Sequence, residues 1–218
     1  MEPLTPTQLA VRNCIFRGTA LVIVVYALAV CACLYEPSLA LLTRSDLFGM
    51  ATLVLLLVAI GALLAASVAG PLPRPAKRAL HAVLGLAVAM AFVYFAHSVS
   101  RPETVVVVLL TAAAAVAAAS LAGARATDLS HWGRPLAVGL VVLLVAGLIN
   151  AVLLGSNAIE TALSLGGIVV FVALTAYETN MYVRRPDRCA PYCCEDGVFN
   201  SYFNFVTIAK DMLYLYAE

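Results

Sequence analysis

Charge is scarce in this chain: 13 Lys and Arg and 12 Asp and Glu make up 11% of 218 residues, with a net charge of +1. Soluble domains carry about 25% charged residues, so a soluble fold is excluded. The absence of a basic surplus also excludes nucleic acid as a partner, because that binding draws its strength from cationic surface. Polar sequence outside the apolar runs is too short for a separate catalytic domain. Nor is there a Gly-rich phosphate loop after a strand, a nucleophile elbow with a partner base, or a His/Cys set at metal-binding spacing among only three His. No enzymatic activity and no cofactor are expected. What remains is 63% hydrophobic, with a mean hydropathy of +0.99. This is the composition of an integral membrane protein with a single membrane domain.

About 20 apolar residues are needed for a helix to cross the roughly 30 Å hydrocarbon core. Seven such runs occur, near residues 16–35, 47–70, 80–98, 104–122, 136–154, 159–182 and 198–217. Pro, Gly and charge coincide between them at "YEPS", "GPLPRPAKR", "SRPE", "ARATDLSHWGRP" and "LGSNA", where helices should stop. The first run has signal-peptide features, but six further runs follow it and it is at the long end for that role, so it reads as a span. The fourth, containing "TAAAAVAAAS", is rich in small residues that let helices approach closely in lipid. If the N-terminus and alternate links share one side, that side holds Arg12, Arg17, Arg74, Lys77, Arg78, Arg125, Arg134, Arg184, Arg185 and Arg188, against Arg44 and Arg101 opposite. The bias places the N-terminus in the cytosol. The last run is interrupted by Asn200, Ser201, Asn204, Thr207, Lys210 and Asp211, so it is expected to be a helix surrounded by protein or a re-entrant element.

The segment "GGIVVFVALTAYETNMYVRR", residues 166–185, sets a carboxylate, Glu178, inside an apolar run. At membrane depth such a group costs several kcal/mol unless it is paired, protonated or hydrated, and it is a functional candidate by default. The alternative is an interfacial Glu178 held by Arg184 or Arg185. With helix ends near residues 182 and 198, a rise of about 1.5 Å per residue puts Glu178 roughly 6 Å and Asn204 roughly 9 Å inside their helices. Two antiparallel helices joined by a short link would bring these side chains together. Asn204, Thr207 or Ile208, and Asp211 recur at helical spacing, which predicts a polar track running inward from Glu178. Its oxygen-rich composition suits a proton or a hard cation such as calcium, with Glu178 and Asp211 as the carboxylate ligands.

Other residues read as structural. Cys189, Cys193 and Cys194 lie in the link after the sixth run; in a reducing cytosol they are expected as free thiols, with palmitoylation as the functional alternative. An inverted topology would instead favour a disulfide. Cys14, Cys31 and Cys33 read as small packing residues. His81, His97 and His131 read as interfacial, Asp128 as a capping residue and Glu160 as a complement to a helix dipole.

Four motifs stand in order along the chain, "CIFRGTALVIVVYAL", "TDLSHWG", "FVALTAYETN" and "NSYFNFVTIAKDMLYL", and together they resemble the transmembrane Bax inhibitor motif family. "CIFRGTALVIVVYAL" looks like the start of the family's first helix, with Arg17 at its Arg. "TDLSHWG", residues 127–133, is similar to the Thr-Lys-x-Asp-Phe-Ser-x-x-Gly link before its fifth helix, with Asp128 at the Asp. "FVALTAYETN" and "NSYFNFVTIAKDMLYL" resemble the close of its sixth helix and its last helix. The resemblance implies an all-α, seven-transmembrane-helix bundle of the Bax inhibitor type in intracellular membranes such as endoplasmic reticulum or Golgi, with the plasma membrane as an alternative. It implies modulation of cell death and a pH-sensitive calcium leak gated by two Asp, one in each of the last two helices.

Those two positions fall on Glu178 and Asn204. Two close carboxylates share a proton and so sense pH, whereas Glu opposite Asn leaves one titrating group, with Asp211 two turns further along. The Arg that latches the acidic pair in bacterial members finds no counterpart, since no charge lies between Leu47 and Gly70. Such drift suits a copy of the family acquired by a large DNA virus. The expected function is therefore a membrane modulator of calcium balance and apoptosis, in contact with lipid. The alternative is an interaction protein that alters the trafficking or surface display of other membrane proteins.

Overall fold

The computed structural model describes residues 4–69, 73–97, 102–189 and 192–217, and these form helices and short links without a strand. Arg101, and the side chains of Arg74, Arg188 and Cys189, lie outside the described residues. The helices are α1 (Pro6–Tyr35), α2 (Pro37–Thr43), α3 (Asp46–Ala69), α4 (Arg74–Ala96), α5 (Pro102–Arg125), α6 (Gly133–Ile149), α7 (Asn157–Arg184), α8 (Pro186–Cys189) and α9 (Cys193–Ala217). Among the described residues five helices are long and apolar enough to cross a membrane. A sixth span is possible if α2 and the start of α3, bent by 62° at their junction, act as one. α9 is not one of them.

Several helix ends reflect local chemistry more than hydropathy. α1 begins about ten residues before its apolar run because Thr5 and Gln8 cap each other: the Gln8 N–H donates to Thr5 Oγ1 at 3.3 Å and the Thr5 N–H to Gln8 Oε1 at 2.9 Å. This reciprocal pair satisfies N–H groups that a helix start leaves open, and Pro6 occupies the first turn, where a missing N–H costs nothing. At the other end of α6, a π-helical turn over Asn150–Leu154 runs into Gly155 at φ +57°, a left-handed conformation that glycine adopts without strain. Asn150 fastens this corner, its Oδ1 accepting from the Ser156 N–H at 3.0 Å.

The chain divides into two compact units, residues 1–24 with 107–218, and residues 25–106. In the second, α3 packs on α4, where Gly49 leaves room for the Tyr94 ring, and Tyr26, on the later turns of α1, meets Phe92 of α4 edge-on at 5.8 Å. His97, just after α4, is bonded by Thr43 and by Arg44, whose Nε donates to Nδ1 at 3.3 Å. Burial and then the Arg44 charge push the imidazole below its ordinary value.

The first unit is built around α9. Tyr202, Phe205, Val206, Ile208, Ala209 and Leu213 are buried there, together with Ser201, Asn204 and Asp211. Its main neighbour is α7, whose buried positions are Ser164, Gly167, Thr175, Thr179, Asn180 and Val183. On α6, by contrast, Val138, Val141, Val142, Leu144, Val145 and Leu148 point outward. The mostly small and polar buried face of α7, set against the large apolar residues that α6 turns outward, is the pattern suited to lipid, where close helix approach and internal hydrogen bonds replace the hydrophobic effect. Gly123 of α5 shows this directly, since a Cβ there would meet the Ala176 carbonyl of α7.

Candidate functional site in the α7 and α9 helix pair

α7 continues to Arg184 and α9 begins at Cys193. At about 1.5 Å per residue, Glu178 therefore lies roughly 9 Å and Asn204 roughly 16 Å within their helices, deeper than the apolar runs alone suggest. The two side chains meet. Asn204 Nδ2 donates to Glu178 Oε2 at 2.9 Å, and Asn200 Nδ2, one turn earlier on α9, donates to Oε1 at 3.2 Å. The Asn200 amide also donates to the Tyr182 hydroxyl at 2.8 Å. Each carboxylate oxygen thus has a neutral donor, and charge-assisted bonds of this kind are the stronger class.

Among the described residues no cation pairs with Glu178. Arg185 turns to Asp128 instead, at 3.1 Å, while the Arg184 carbonyl accepts from Gln8 Nε2 at 3.1 Å and ties the start of α1 to the end of α7. The interfacial alternative, in which one of these arginines holds Glu178, does not describe the arrangement.

A neutral amide suits a carboxyl group that changes protonation. Its NH₂ can serve the carboxylate, and rotation of the amide presents its carbonyl to the O–H of the acid. Asn200 and Asn204 can therefore satisfy Glu178 in both forms, which a fixed cation cannot do.

Asp211 forms a second station. It is buried, its Oδ1 lies 2.7 Å from Lys210 Nζ, and its carboxylate occupies the space that a side chain at Gly167 of α7 would fill. Between the two stations the expected track is interrupted. Ile208, which follows Asn204 by one turn and precedes Asp211 by another, is fully buried, and Phe171 packs on Phe203 with centroids 6.5 Å apart. Thr207 does not bridge the gap, because its hydroxyl donates to the Phe203 carbonyl of its own helix at 3.0 Å. Helical spacing put Asn204 and Asp211 on one face correctly, but the residue between them on that face is Ile208.

Arg17 is exposed on α1 and forms no bond with this cluster among the described residues. Asp128 caps the link before α6, accepting from the Ser130 N–H at 2.8 Å and the Ser130 hydroxyl at 3.0 Å as well as from Arg185. The Ser130 bonds first, and then Arg185, hold its carboxyl below the usual range.

Sequence reasoning missed Asn180. Fully buried two residues after Glu178, it donates to the carbonyls of Gly123 at 2.9 Å and Ala126 at 3.0 Å and accepts from the Leu129 N–H at 3.1 Å. It thereby closes the end of α5 and positions the link that carries Asp128. The available signal was a second polar residue, after Glu178, near the end of an apolar helix.

The cysteine reading requires correction. Cys14, in the third turn of α1, and Cys194, in the first turn of α9, form a disulfide, and Cys193 is likewise disulfide-bonded. A sulfur in a disulfide cannot be acylated, so Cys193 and Cys194 are not palmitoylation sites in this state, and Cys14 is a covalent partner more than a packing residue. The capped extension of α1 makes Cys14 helical, two residues before the apolar run begins. Cys31 and Cys33 are free.

Two comparisons bear on identity. The family model described as Bax1-I, inhibitor of apoptosis-promoting Bax1, matches residues 14–208. No curated protein matches the chain.

Proposed function

The chain belongs to the Bax1-I family, the inhibitors of apoptosis-promoting Bax1, and from that premise we propose that it is a non-enzymatic, multi-pass modulator of ion balance and cell death in intracellular membranes. In this reading α9 completes a seven-helix bundle with the N-terminus in the cytosol. The site is Glu178 with Asn200 and Asn204, and it passes or senses a proton or calcium. The observation that carries the reading is the Glu178 carboxylate, set inside a membrane-capable helix and held by two neutral amides. A polar group in that setting is costly to maintain, and amide partners allow it to gain and lose a proton without losing its bonds. The apolar layer at Ile208 corresponds to a closed path, so conduction requires that layer to part.

Calcium efflux from proteoliposomes tests the proposal. The parent protein is expected to leak in a pH-dependent manner, and Glu178→Gln to lose that dependence. A Glu178→Gln variant that leaks like the parent removes this site from the mechanism. Absence of any flux, with specific membrane proteins recovered from cells and mislocalised in its presence, would favour the interaction role instead.

A further inference from the structure

The Cys14–Cys194 bond joins residues 180 apart in sequence. Immediately past it, along both helices, the backbones approach closely: a side chain at Gly18 would meet Val198, and one at Gly197 would meet Ile15. Four residues separate Cys14 from Gly18 and Cys194 from Val198, so α1 and α9 run in the same direction through this contact. It is sealed by Ile15 and Val198 against glycine, with Ile15 fully buried. Six residues beyond Cys194 is Asn200, and ten beyond is Asn204, the two amides that hold Glu178. The disulfide therefore ties down the first turn of α9, about two and three turns before the amides that hold Glu178.

The bond is also within reach of water-borne reagents. Cys14 is exposed and flanked by Arg12, Asn13 and Arg17, before the apolar run begins. The distribution of Lys and Arg puts this end of the chain in the cytosol, where thiol reductants are abundant and a disulfide is typically transient or redox-sensing; in the inverted topology, which a disulfide by itself favours, the same bond would be permanent, and the glutathione titration below separates the two.

We propose that Cys14–Cys194 is a reversible thiol–disulfide latch that locks the start of α9 to α1. Two molecules of a small thiol such as glutathione open it. The first attacks one sulfur and forms a mixed disulfide as the other sulfur leaves as a thiolate and takes up a proton. The second resolves the mixed disulfide, so the chain gains two electrons and two protons while the reductant becomes its own disulfide. Closure is the reverse reaction with glutathione disulfide. Opening leaves the Ile15 and Val198 contacts as the attachment of α9 to α1, and the turns carrying Asn200 and Asn204 gain freedom. The latch itself is independent of what the site conducts; only its effect on Glu178 rests on the function proposed above.

The full-length protein in nanodiscs, equilibrated in glutathione buffers of graded ratio and then alkylated, tests this. Cys14 and Cys194 should convert together from disulfide to thiol across ratios between those of the secretory pathway and the cytosol. Amide hydrogen exchange over residues 195–204 should become several-fold faster in the reduced state. Cys14→Ala/Cys194→Ala should exchange at the reduced rate in every buffer, and Cys14→Ser alone should do the same if the double variant folds poorly. A pair that stays oxidised in excess glutathione until the protein is denatured would overturn the proposal, as would exchange over 195–204 that is indifferent to reduction. Neither readout involves ion flux, so failure of the latch and failure of the leak are separable.

Discussion

Glu178 and Asp211 are both acids at the interface of α7 and α9, yet they are solved differently. Glu178 reaches across from α7 to two amides on α9. Asp211 stays on α9, takes its counter-charge from the adjacent Lys210, and fills the notch left by Gly167. The first arrangement joins two helices through neutral, rotatable partners. The second neutralises charge within one helix and uses the neighbouring helix for space. The contrast teaches that a carboxylate's partner, more than its burial, decides whether it is suited to switching: amides can serve a carboxyl group in either protonation state, whereas a lysine favours only the charged one.

The sharpest way to break this contrast is to fill the notch. Gly167→Leu should push into the Asp211 carboxylate and destabilise the α7 and α9 pair by about 1–3 kcal/mol, the usual cost of overpacking. Thermal unfolding in detergent would show it, and an unchanged melting temperature would mean that Asp211 is not held there.

Of similar size is Asn204→Leu, which leaves Glu178 Oε2 without its 2.9 Å donor. The loss should be about 1.5–3 kcal/mol, the range for hydrogen bonds to charged groups. Asn204→Asp should instead make stability fall as pH rises, because two carboxylates in contact cannot both ionise without repulsion. Melting curves across pH would separate these two variants from each other.

Lys210→Met should cost about 1 kcal/mol or less, since the lysine side chain is 54% exposed and such pairs are screened by solvent. A larger loss would give Asp211 the more delicate balance of the two stations and reverse the comparison.

Asp128 supplies the smallest effect and a reference acid outside the helix pair. Its carboxyl is held below the usual range in the fold, so the stability it contributes is present above the ordinary carboxylate value and is lost as pH falls through the lowered one. Asp128→Asn should flatten that acid limb of the melting profile and leave the neutral range unchanged.

Much of this arrangement was legible in the residues. A lone carboxylate in an apolar run, an amide at matching depth on an antiparallel neighbour and a short link between them were enough to pair Glu178 with Asn204. The continuous polar track was not recoverable in the same way, because periodicity assigns residues to a face but does not weigh the choice between Thr207 and Ile208 on it. Asn200 and Asn180 were overlooked for a related reason: their roles depend on which backbone and side chains arrive from other helices. The disulfide was hidden by hydropathy, which begins the first helix at residue 16, whereas the Thr5 and Gln8 cap begins it at Pro6 and brings Cys14 into its first turns.

One paired measurement tests most directly which carboxylate switches: the pH profile of calcium leak in proteoliposomes containing Glu178→Gln or Asp211→Asn. If the amide-held carboxylate is the responsive one, Glu178→Gln gives a flat profile and Asp211→Asn keeps the parent's pH dependence even where the rate changes. A pH response that survives in Glu178→Gln and vanishes in Asp211→Asn would contradict it.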